Sequence, residues 1–104
     1  MLEVKAEITK FVDYDAPPGW VECHFIDAHG IEQTFIEKIP IVTTERLDES
    51  SSYPRDGFIA CQIIEENYVE GHKVVKINTE KPWGIESTNG KTCFEVLSEQ
   101  LVES

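Results

Sequence analysis

The sequence predicts an all-β fold: a small antiparallel β-barrel of about six to seven strands, with an open β-sandwich as the alternative. Two observations predict it. Short segments alternate apolar and polar residues with period two, the mark of a half-buried strand. Turn residues, above all Gly30 and Asn89-Gly90, separate these segments along the whole chain. At 104 residues the chain fits one domain, 1–104, with apolar content enough for a single core.

The first strand is expected over Leu2–Ile8, with Leu2, Val4, Ala6 and Ile8 on one face and Glu3, Lys5 and Glu7 on the other. The segment 13–19, with Pro17-Pro18-Gly19, ends it, because proline removes ladder donors. A second strand follows from Trp20 to about Asp27, turning Val21, Cys23 and Phe25 inward. Asp27-Ala28-His29-Gly30 reads as a tight turn, returning the chain antiparallel over Ile31–Lys38. Pro40, in the run Ile39–Val42, argues for an edge or bulge before a short continuing strand.

Thr43–Gly57 reads as a long polar surface loop with at most one helical turn near Glu45–Leu47. Phe58–Ile64 is the most apolar strand, with Ile59, Cys61 and Ile63 expected inward. Glu65–His72 reads as its connection to Lys73–Thr79, where Val75 and Ile77 point in and Val74 points away. Trp83–Ser87 and Lys91–Leu97 form the last expected hairpin around Asn89-Gly90, with Phe94 and Val96 sharing a face. Ser98–Ser104 is expected to be a short amphipathic tail, helical or frayed.

Charge bounds the function. Nine Lys and Arg face 20 Asp and Glu, for a net −11. Such a field repels nucleic-acid phosphates and anionic membrane surfaces and favours a basic protein as partner. No apolar run reaches membrane-spanning length and no leader pattern is visible. The widely spaced cysteines 23, 61 and 93 suit reduced thiols, so a cytoplasmic setting is expected.

The chemistry-bearing residues form no motif. Cys23 and His24 are neighbours on a strand and point to opposite faces, a poor start for a zinc site. His29 is expected in a turn and His72 at a strand entry, without a GxSxG elbow or an identifiable nucleophile. There is no P-loop or GxGxxG fingerprint. No catalytic residue, cofactor or metal is therefore assigned. What remains is an interaction surface: Trp20 and Trp83, each following a proline-containing loop, with Tyr53, Arg55, Asp48 and Glu49 from the long loop.

The expectation is thus a non-catalytic, acidic binding or interaction module, a monomer or weak homodimer, the latter through an edge at Ile39-Pro40-Ile41. A second expectation is an immunity or inhibitor protein that neutralises a basic partner such as a toxin. In that case Glu45, Asp48, Glu49 and Asp56 would share one concave acidic face. A third is a small ligand-binding protein or enzyme with a pocket at the barrel end.

Overall fold

Most strands form where the sequence alternates in the computed structural model of the chain, which describes residues 1–13 and 18–103. The expected turn at 13–19 falls largely outside the described residues. Four strands make one sheet in the order β3-β2-β1-β4: β1 (Leu2–Asp13), β2 (Trp20–Ile26), β3 (Glu32–Lys38) and β4 (Arg55–Ala60). The short β8 (Leu101–Glu103) adds to β1. The second sheet holds β5 (Gln62–Val69), β6 (His72–Asn78) and β7 (Cys93–Leu97) in that order. All pairings are antiparallel.

β1 is the hub of the first sheet. Val4 faces Ile59 of β4 on one edge and Leu101 of β8 on the other. Glu7 faces Asp56 of β4 and His24 of β2. β8 and β2 therefore share one edge of β1, end to end. Gln100 stitches that junction: its Nε2 donates to Ile26 O at 2.7 Å, while its Oε1 accepts from Leu97 N at 2.8 Å.

Most inward strand positions are those the alternation selects. Val4, Ile8, Val21, Cys23, Phe35 and Ile59 of the first sheet are fully buried against Val75, Ile77 and Val96 of the second. Phe25, Phe35 and Phe94 pack as a triad across the two sheets, with ring centroids 5.5 to 5.6 Å apart. Offset and edge-on contacts of this kind add to the area term.

The sheets do not close into a barrel; the open sandwich is the architecture found. The physical cause lies at Cys61. The apolar segment expected as one strand bends there, so β4 belongs to the first sheet and β5 to the second. Cys61 is buried at the corner and its N–H donates to Leu2 O at 3.1 Å. Chains that pass between packed sheets make such corners by bending. Ile63, expected inward, is carried beyond the core and is 45% exposed.

Other differences have local causes. Ile39–Val42 is a helical turn, α1, not an edge strand. Pro40 lies in its first turn, where a missing N–H costs nothing and a fixed φ helps. That segment therefore offers no edge to a second copy. β4 begins at Arg55, so Gly57 is strand rather than loop; a Cβ there would stand 2.8 Å from Ile8 Cγ1. The expected connection Glu65–His72 is mostly strand, turning at Glu70-Gly71 alone, both at positive φ (50° and 83°) as a two-residue primed hairpin needs. Trp83–Ser87 is not a strand, although the Asn89-Gly90 turn closes as expected, with Gly90 N donating to Ser87 O at 2.8 Å. The tail is a 3-10 turn followed by β8, because β1 leaves an edge open beside Leu2–Val4.

Single hydrogen bonds protect two sheet edges. Thr88 N donates to Thr34 O of β3, and Ala28 N donates to Glu95 O of β7, each at 2.8 Å. The second contact docks the β2–β3 turn on the second sheet. Asp27 organises that turn, accepting from His29 N at 2.8 Å and Ile31 N at 3.0 Å, and His29 Nε2 reaches Glu95 Oε1 at 3.0 Å.

Two outcomes are expected. Phe35→Ala removes the centre of the triad and should cost about 3–5 kcal/mol in urea unfolding, the range for large aromatic deletions. The hydrogen bond to Glu95 raises the His29 pKa above its ordinary 6.5, with the charges of Glu95 and Asp27 adding. A raised folded value stabilises most where both states are protonated, so this contribution is full below about pH 6.5 and disappears as pH rises through the higher folded value. A pH series of melting temperatures should show that loss, and His29→Gln should flatten it.

Candidate functional site

A groove of about 820 Å³ opens where α1, the β1–β4 pair, β8 and the loop after β6 meet. Strand alternation fixes its floor. Val4, Gly57 and Ile59 point into the core, so Glu3, Asp56 and Phe58 point out. Val102, opposite Glu3 in the β1–β8 ladder, extends the floor. α1 buries Ile39 and Val42 and turns Ile41 into the groove, and Glu45 follows from the adjoining loop.

The last wall is Trp83. Its loop is held from below by Ile85, which is fully buried. Ile85 N donates to Thr79 O at 3.0 Å and the Thr79 hydroxyl donates to Ile85 O at 2.6 Å. Gly84 takes a φ of 66°, and its N–H donates to Glu80 O at 2.6 Å. The loop is thereby closed on itself while Trp83 remains 54% exposed at its tip. A large rigid aromatic left in water beside Ile41, Phe58 and Val102, with three carboxylates around them, makes an amphipathic surface suited to an apolar side chain flanked by cations.

The six residues singled out from the sequence divide. Trp83 lines the groove. Arg55 does not, but its guanidinium is ion-paired with Glu45, which does. Tyr53 packs against the core and its hydroxyl donates to Asp48 O at 2.8 Å. Asp48 is absorbed in its own turn, accepting from the Ser50 hydroxyl at 2.7 Å and from Ser50 N at 2.8 Å, which holds its carboxyl below its ordinary range. Glu49 is exposed on the same loop, outside the groove. Trp20 begins β2, half-buried, with Lys38 Nζ 5.6 Å from its ring centroid. Of the four carboxylates expected on one concave face, Glu45 and Asp56 share the groove and Asp48 and Glu49 do not.

Glu3, Ile41, Phe58 and Val102 were not anticipated. Phe58 had a signal, since placing Ile59 inward leaves its neighbour outward. Ile41 and Val102 had none, because their positions follow from a helical turn and a terminal strand that local pattern does not announce.

Burial removes two thiols from chemistry. Desolvation pushes Cys23 up to about 12, with Glu37 and Glu22 adding to it, and pushes Cys61 up to about 11. Both stay protonated at neutral pH and neither is a ready nucleophile or metal ligand. Among the described residues, no group of three or more His, Cys, Asp or Glu is placed to hold a metal ion. In a Trp20→Phe background, acrylamide should quench Trp83 readily, with an emission maximum typical of water-exposed indole; a blue-shifted, protected emission would mean that the groove wall is folded away.

Comparison of the chain with protein-family models, with curated proteins and with solved structures finds no match.

Proposed function

We propose that the chain is a non-catalytic binding module that takes a basic, partly apolar segment of another protein in the groove walled by Trp83. The observation that carries this reading is the meeting of an exposed tryptophan, three further apolar side chains and Glu3, Glu45 and Asp56 in one concavity. The net charge of −11 supports it, since long-range attraction speeds encounter with a cationic partner and a central aromatic supplies affinity. The space between the sheets is taken up by buried apolar side chains, which supports placing the binding site in the groove rather than in the interior. In this reading the protein works in the cytoplasm, where three free cysteines remain reduced.

Inhibition of a basic enzyme or toxin is the narrower form of the same reading. Asp56 in the groove favours it, whereas Glu45, already paired with Arg55, and Asp48, tied into its own turn, contribute less than free carboxylates would.

The test uses calorimetric titration of the full chain, with Trp83 emission followed in parallel, against short peptides that alternate Lys or Arg with Leu or Phe, and against acidic peptides of the same apolar content. The basic peptides should bind and blue-shift Trp83, and raising salt from about 0.05 M to about 0.5 M should weaken binding as screening shortens the Debye length. Trp83→Ala should cost about 2 kcal/mol, roughly thirtyfold in affinity. Asp56→Asn and Glu3→Gln should each weaken binding and reduce its salt dependence. Equal binding of acidic and basic peptides, or indifference to Trp83→Ala, would overturn the proposal.

A further inference from the structure

We propose that two copies of this chain associate antiparallel along β5, joining their second sheets into one continuous six-stranded sheet. β5 is the least satisfied element of the fold. It lies at the end of its sheet and all eight of its residues are exposed. Ile63, Ile64, Tyr68 and Val69 are 45%, 51%, 75% and 53% exposed. β3 and β7 each have a backbone hydrogen bond guarding the free edge; no such bond reaches β5 among the described residues. An unguarded edge is a template for another strand.

Charge selects the occupant. The ribbon from Gln62 to Asn78 carries Glu65, Glu66 and Glu70 against Lys73 and Lys76, a net −1 in a chain of −11. Two of its three acids have a cation beside them within the ribbon: Lys73 Nζ lies 2.9 Å from Glu66 Oε1, and Lys76 stands opposite Glu65 in the ladder. A cationic partner gains little from a ribbon of net −1, and two copies repel less along it than the chain's net charge of −11 alone would dictate.

The register is also restricted. Residues opposed across an antiparallel pair share a face, so a twofold axis must pass through a residue position. An axis at Glu65 or Glu66 sets that carboxylate against its own copy, and one at Tyr68 sets Glu66 against Glu70. Such like-charge pairs are destabilising. An axis at Asn67 opposes amide to amide, Glu66 to Tyr68 and Glu65 to Val69, with no like charges facing. It also uses the regular part of the ladder, beyond the irregularity between Ile63 and Glu65. The contact is short, so the dimer is weak, and residual repulsion between two acidic molecules makes salt strengthen it.

The experiment is sedimentation equilibrium of the full chain at about 0.1–1 mM, a range suited to an interface below the standard size. The average mass should rise from 11.8 kDa towards twice that value, with association several-fold stronger at about 0.5 M than at about 0.05 M salt. Asn67→Asp, a surface change that sets two carboxylates on the axis, should weaken association at least tenfold. For register, Asn67→Cys in a Cys93→Ser background should form a disulfide-linked dimer with oxidised glutathione, and Gln62→Cys in the same background should not. A monomer under all these conditions, association indifferent to Asn67→Asp, or equal cross-linking of both cysteine variants would overturn the proposal. Trp83→Ala should leave self-association unchanged. Groove binding weakens with salt and needs Trp83, whereas this dimer strengthens with salt and does not, so either proposal can fail alone.

Discussion

Contact between two oily sheet faces is the constraint on which this structure depends. The Phe25–Phe35–Phe94 triad ties β2 and β3 of one sheet to β7 of the other, and the aliphatic side chains around it fill the rest of the gap. Without the other, each sheet would leave its oily face in water. The second has three strands, one of them exposed on every residue, and small sheets without a covered face are marginal in water. The face-to-face packing therefore stabilises both sheets at once, and the turns, caps and ion pairs refine an arrangement that burial has selected.

Two sheets facing one another need a way across, and this chain crosses at Cys61. A small residue that tolerates full burial sits where β4 gives way to β5, and its N–H is satisfied by Leu2. The bend has two consequences of opposite kind. It lets Val75 and Ile77 of β6 lie over the first sheet. It also pushes β5 past the rim of that sheet, which leaves Ile63, Ile64, Tyr68 and Val69 without cover. The exposed edge and the packed core thus have one cause.

The groove arises from the same economy of strands. The outward residues of β1 and β4 would be an ordinary solvated sheet surface had α1 and the Trp83 loop not risen on either side of it. α1 exists because Pro40 starts a helical turn, and the Trp83 loop because Ile85 and Thr79 pin its base. Small local devices give a flat acidic face its walls. Long-range charge and short-range apolar contact then act at one place, the combination that gives an interface both speed and selectivity.

Period-two alternation was enough to identify an all-β chain and to orient Val4, Ile8, Val21, Cys23, Phe25, Val75, Ile77, Phe94 and Val96, because a pleated backbone forces alternate side chains to opposite faces. The turns at Asp27–Gly30 and Asn89-Gly90 were legible for the same local reason, since backbone sign and side-chain hydrogen bonding belong to a few adjacent residues. Ile63 shows where that logic stops: its pattern is that of a core residue, but whether a strand face is covered depends on what lies across from it. The strand character of Glu65–Val69, the pairing of Leu101–Glu103 with β1, the choice of sandwich over barrel and the groove itself were likewise decided by contacts between residues far apart in the chain. Local pattern determines which way a side chain points; only the packed tertiary structure decides what it meets there.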